Sequence, residues 1–429
     1  MKIQSIKALE ILDSRGMPTI LAEVMLENGV KASAAVPSGA STGSYEAVEL
    51  RDNDKNRYNG AGVLQAINNI ENIIAPALIG QEVDGQSEID AVMIALDDSH
   101  NKSKIGANAM LAVSLACAKA AAVDSNQPLY RYLSKFNTQF KDKYILPLPM
   151  MNVLNGGKHA NWATDIQEYM IIPVGAKNLA EAIRMCAEIY QSLKKILKDR
   201  HYSISVGDEG GFAPAFKNNE EPFQILSEAV KASGYKLGHD ISFGIDAAAT
   251  EFYQEGVYNL KKENKKLTSQ ELIAFYSQLS ANYPIISWED VLAEDDWQGF
   301  QEFTHTFTTN AQIVGDDLYV TNVERLQRGI EEKSSNSILI KLNQIGTLSE
   351  TIAAINLARE NGLTSVISHR SGETEDTFIA DLVVAMGTGQ IKTGAPCRSE
   401  RTAKYNRLLV IAAELGDKAE LASFPFKLK

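Results

Sequence analysis

From residue 242 onward the chain keeps a beat that few folds accommodate. A short apolar run closes on a polar residue, a helical stretch follows, and the pattern returns. ISFGID ends at Asp246, PIISWE at Glu289, QIVGD at Asp316, ILIK at Lys341, SVISH at His369 and QIK at Lys392. From Glu289 the intervals are 27, 25, 28 and 23 residues, the length of one strand, one helix and their loops. Asp246 and Glu289 are 43 residues apart, one unit with an excursion: EGVYNLKKENKKLT reads as a charged hairpin before the helix LTSQELIAFYSQL. SISVGDE, ending at Glu209, reads as an earlier strand of the same kind. Six or more such units favour a closed (β/α) barrel, in which residues at the C-terminal ends of the strands gather at one rim.

The first third differs. Residues 3–36 alternate apolar and polar positions on both sides of the turn-rich DSRGMP, the pattern of antiparallel strands with one buried face. Helical spacing follows at 63–74 and 88–96, and the Ala-rich stretch 107–123 reads as a helix buried on most sides. The polar FNTQFKDKY before LPLPMMNVLNGG marks a boundary, giving an α+β domain over 1–137 and a barrel domain over 138–429.

With 42 Lys+Arg against 54 Asp+Glu the net charge is −12, which repels nucleic acid and anionic lipid; KKENKK is the only basic run. Three cysteines without C-x-x-C spacing indicate neither a disulfide framework nor a thiolate zinc site. The first residues lack the continuous apolar run of a signal peptide, and no charge-free stretch reads as a membrane span, so a cytoplasmic protein is expected.

Asp246, Glu289 and Asp316 close three consecutive strands and would bring three carboxylates to one rim. An oxygen-only set without His or Cys suits a hard divalent cation, Mg2+ before Mn2+. Each acid alone would equally serve as a helix cap or a rim salt bridge. Lys341, at the end of an apolar strand beside a metal, is in a setting that disfavours its ammonium, so it reads either as a base or as a counter-charge to the acids. Arg370 with Ser371 is suited to clamp a phosphate, the guanidinium pairing bidentately with anionic oxygens, although a serine there also caps helices. A basic rim on an acidic chain points to a small anionic substrate bridged by a metal. GASTG resembles the serine-hydrolase elbow but follows antiparallel strands and Pro37, so a lid presenting Ser41 is preferred. NGGKH brings His159 to a glycine-rich turn, and GDEGGFAP puts Glu209 among glycines.

DSRG, VPSGASTG, NGGKHA, IQEYMI, GDEGGFAP, IKLNQIGTLSET, SHRSGETEDTFIADL and QIKTGAPCRSER together resemble the enolases across nearly the whole chain. The resemblance implies an enolase-type TIM-like barrel that opens with two strands and two helices before six βα units, preceded by a smaller α+β domain. The implied activity is that of a glycolytic phosphopyruvate hydratase, a Mg2+-dependent lyase reversibly dehydrating 2-phospho-D-glycerate to phosphoenolpyruvate and water. By motif, Lys341 matches the base and Glu209 the acid, with Glu168 assisting, Gln167 beside it, and His159 and His369 in the catalytic set. Asp246, Glu289 and Asp316 match ligands of the first Mg2+, which stabilises the aci-carboxylate intermediate. Arg370 and Ser371 match the phosphate clamp, Lys392 the carboxylate holder, and Ser41 the ligand of a second Mg2+ completed by substrate phosphate. A homodimer is implied, with an octamer in some bacterial members. The resemblance also allows surface or secreted pools and contacts with RNA-degradation assemblies or, through the terminal Lys427 and Lys429, with plasminogen, although those lysines read first as a frayed tail. Met17, Lys158, Trp162, Trp288 and Val291 depart from the family pattern and bear on loop closure.

Overall fold

The computed structural model describes residues 1–39, 43–141, 143–307 and 310–427, apart from the side chain of His159. Ser41 and Lys429 therefore lie outside the described residues.

The alternating N-terminal segment forms three antiparallel strands, β1 (Ile3–Leu12), β2 (Pro18–Leu26) and β3 (Lys31–Ala35), in the order β1-β2-β3. Ile20, Ala22, Val24 and Leu26 point to one face and are buried. Against β2 and β3 packs the helix Ala107–Asp124, whose small side chains permit close approach. It is long and apolar enough to cross a membrane, but 83% of it is buried within the fold, which makes it a core helix. The expected helix at 63–74 changes pitch: Leu64–Asn69 is α-helical, Ile70–Ile74 is a π turn and Ala75–Leu78 resumes. Pro76 is the physical reason, since it lacks the N–H that would bond one turn back.

Eight strands close the barrel: Leu148–Asn155, Glu168–Ile172, Ser242–Asp246, Ile285–Glu289, Gln312–Gly315, Ser337–Ile340, Thr364–Ser368 and Gln390–Lys392. The second runs antiparallel to both neighbours, all other pairings are parallel, and the eighth closes on the first. Helices Leu179–Asp199 and Glu221–Ala232 follow the second strand, so six βα units succeed an opening of two strands and two helices. Leu148, Met150, Met170, Ile172, Ile286, Val314, Leu339 and Val366 fill the barrel interior. On the outside, Trp288 of the fourth strand meets Tyr276 from the helix before it and Phe303 and Phe307 from the helix after it.

SISVGDE is not a barrel strand. Residues 203–211 form a loop tied to the first strand by Phe212, whose N–H reaches Val153 O at 2.9 Å and whose carbonyl accepts from Asn155 N at 2.8 Å. Gly207 N bonds Gly211 O at 2.8 Å and Gly210 takes φ +85°, a tight turn that ends any extended run. The charged excursion is a small antiparallel sheet of Tyr253–Gln254, Val257–Leu260 and Lys265–Leu267. The capping box of Thr268 and Glu271 then starts the helix Ser269–Asn282.

Candidate active site

Strand register decides which side chains meet. Glu168 is paired with Asp246, and Asp246 with Glu289, so three carboxylates stand level on three adjacent strands. Glu168 reaches the mouth from the first position of its strand only because that strand runs backwards. Asp316, Lys341 and His369 follow the fifth, sixth and seventh strands directly, and Lys392 ends the eighth opposite Ser368. Gln167, Glu168, Glu209, Asp246, Asp316, Lys341, His369, Arg370, Ser371 and Lys392 all line one cleft at this end. Glu289, fully buried, lies beneath it.

Lys392 is the hub of the acids. Its Nζ lies 2.7 Å from Glu289 Oε1, 3.0 Å from Asp246 Oδ2 and 3.1 Å from Glu168 Oε2. Burial disfavours its charge, but these carboxylates outweigh it and hold the ammonium well above its usual pKa. Burial, with neighbouring carboxylates, lifts Glu168 and Glu289 well above the usual carboxylate range.

Lys341 pairs with Asp316 Oδ2, and Gln344 Nε2 donates to the other oxygen at 2.9 Å. Burial alone would lower the lysine, as the sequence suggests; the adjacent Asp316 carboxylate reverses that and raises it. In this arrangement Lys341 balances Asp316, and the base reading requires that pair to open. Asp316 itself ends below its usual value, because the lysine overrides burial. Asp290, which the sequence reading passed over, organises the turn: its two oxygens accept from Asp316 N and Asp317 N, each at 2.8 Å. Burial and the neighbouring Asp317 and Asp316 raise Asp290 strongly. The E-D and D-D doublets at 289–290 and 316–317 were the available signal.

Glu209 faces the other side of the cleft, its Oε2 accepting from Asn152 Nδ2 at 2.9 Å and its carbonyl from Ala395 N at 3.0 Å. His369 Nε2 lies 3.6 Å from Glu209 Oε2. Arg370 grips Glu46 of the N-terminal domain with both terminal nitrogens, at 2.8 and 3.1 Å, and reaches Asn343 at 3.0 Å. Beside it Ser44 N donates to Glu294 at 3.1 Å, and Tyr45 stacks under Arg325. The N-terminal domain thus walls one side of the site. Asn152, Glu46 and Gln344 carried no sequence signal, because each acts on residues distant in the chain.

The donor set fits a hard cation. Glu289 Oε2 is buried with no hydrogen-bond partner among the described residues, and oxygens of Asp290, Asp316 and Asp317 lie within 4.8 Å of one another. That trio shares only Asp316 with the strand-end trio, whose Asp246 and Glu289 accept from Lys392.

Residues 3–133 match the family model for the enolase N-terminal domain, and residues 143–428 match that for the enolase C-terminal TIM barrel domain. Matches over nearly the whole chain, on an eight-strand barrel with one reversed strand and a carboxylate-rich mouth, make this protein a member of the enolase family, a lyase family that depends on Mg2+.

Proposed function

We propose that this protein reversibly dehydrates 2-phospho-D-glycerate to phosphoenolpyruvate and water. The observation that carries the reading is a single cleft lined by Lys341, Glu209, Arg370, Ser371 and Lys392 together with Glu168, Asp246 and Asp316. Arg370 and Ser371 hold the phosphate, and Lys392 the substrate carboxylate. Lys341 Nζ takes the C2 proton as the neutral amine, for which its pair with Asp316 must first open and its own ammonium proton pass to solvent. Glu209 then protonates the 3-oxygen as the C3–O bond breaks, the C2–C3 double bond forms and water leaves. Glu168, whose carboxyl burial lifts above the usual range, and Gln167 line the cleft with Glu209. Asp246, Glu289 and Asp316 would hold Mg2+, which when bound offsets the negative charge gained by the substrate carboxylate. On this reading the protein is a glycolytic, cytoplasmic, homo-oligomeric enzyme, and Ser41 and His159 belong to its binding and catalytic set.

Ultraviolet absorbance of the conjugated product tests the overall reaction; a folded protein giving no signal from 2-phosphoglycerate with Mg2+ rules it out. Deuterium exchange tests the roles. Lys341→Ala should abolish exchange at C2, whereas Glu209→Gln should retain exchange and lose dehydration. The opposite pattern would swap base and acid.

A further inference from the structure

Arg401, the third residue of the helix Ser399–Leu415, is fully buried, which is costly for a guanidinium unless its donors are used. Those of its two terminal nitrogens are. One terminal nitrogen donates to His369 Nδ1 and, at 2.7 Å, to Arg370 O; the other reaches Asp208 O at 3.0 Å and Ser371 O at 2.6 Å. Nε lies 3.4 Å from Glu400. Four N–H groups thus tie the 369–371 loop to the loop that carries Glu209. No described atom hydrogen-bonds the other imidazole nitrogen, His369 Nε2, which is buried and directed at Glu209.

An arginine cannot give up its proton, so the ring nitrogen it contacts must accept. A proton on Nδ1 would set donor against donor between two buried side chains. We infer that Arg401 is a positioning residue that locks His369 into the neutral Nε2–H tautomer, making the imidazole a fixed hydrogen-bond donor beside Glu209 instead of a proton shuttle. The inference deepens the proposed function, on which the meaning of Glu209 rests. The charged neighbours agree: burial pulls His369 well below its usual pKa, Glu209 opposes, and Arg401, Lys392 and Lys341 add to the lowering.

The test is a long-range proton–nitrogen correlation spectrum of the 15N-histidine-labelled full chain, which holds six histidines, with His369 assigned by the peak lost in His369→Gln. The expected wild-type pattern is a pyridine-type Nδ1 and a pyrrole-type Nε2, unchanged from about pH 6 to about pH 9. In Arg401→Met the two shifts should move toward each other and begin to titrate, and Arg401→Lys should restore part of the separation. For turnover of 2-phosphoglycerate, Arg401→Met should lower kcat about tenfold or more with KM within about threefold. A protonated or Nδ1–H ring in the wild type, or an unchanged ring in Arg401→Met, overturns the inference. If Arg401→Met fails to fold, the wild-type spectrum alone decides. A wild-type protein inactive on 2-phosphoglycerate but carrying the stated tautomer would remove the proposed function and leave the lock standing.

Discussion

Lys392 shows how much one side chain holds at this mouth, since it neutralises three buried carboxylates that otherwise face one another. Removing one partner of a buried ion cluster costs on the order of 3–5 kcal/mol, and the cost here depends on pH. Glu168 and Glu289 have folded pKa values above their unfolded ones, so between the two the folded state binds more protons. Stability from these groups therefore falls as pH rises above about 4.3, the unfolded value. Lys392→Met removes the cation that opposes this. Urea unfolding in chelator should show a deficit of about 3–5 kcal/mol at pH 8 that shrinks at pH 5.5; an equal deficit at both would contradict the clustering. The residues easiest to read from sequence were those like Lys392 that end a strand, because strand position alone puts them at the rim. Asp290 and Asn152 act by holding another residue's backbone or carboxylate, and such a role has no local pattern.

The barrel was legible where its elements repeat and opaque where the repeat breaks. Parallel strands buried on both faces read as apolar runs, and the helices between them keep their spacing. The reversed second strand, EYMII, has the same composition as its neighbours, so residues alone could not give its direction; the enolase resemblance gave the irregular opening, and strand pairing gives the reversal. SISVGDE misled for a related reason. It carries a strand's composition, but three glycines, Gly207, Gly210 and Gly211, and a bond to the first strand turn it into a loop that delivers Glu209. Gly210 is the element's stress point: its φ is +85°, and a Cβ there would sit 2.6 Å from Cys397 O, a backbone atom that cannot swing aside. Gly210→Ala should therefore shift the loop and Glu209 with it. A misplacement near 1 Å costs about 100-fold in rate, so kcat should fall by that order while Mg2+ affinity, set by other strands, stays within about twofold. Calorimetric Mg2+ titration beside steady-state kinetics separates the two; equal loss in both would mean general disruption.

The two halves of the molecule meet through charge as well as apolar surface. Lys102 pairs with Glu350 at 2.9 Å, Lys119 with Asp376 at 2.6 Å, and the most buried of these links is Arg370 with Glu46. That pair joins the outer domain to the very guanidinium proposed to hold substrate phosphate. A carboxylate and a phosphate offer the same paired oxygens, so Glu46 stands in competition with the ligand or beside it, and either way supplies the negative charge that a buried arginine needs. Glu46→Ala leaves that cation short of its bidentate partner and loosens the domain contact. Its unfolding free energy should drop by about 3–5 kcal/mol. Inorganic phosphate should then raise the melting temperature of Glu46→Ala more than that of the wild type, because an anion that binds only the folded state stabilises it in proportion to its affinity. A thermal-shift series in phosphate, with chloride at matched ionic strength as control, measures the difference. Equal shifts in both proteins would mean that Arg370 does not take phosphate where Glu46 now sits.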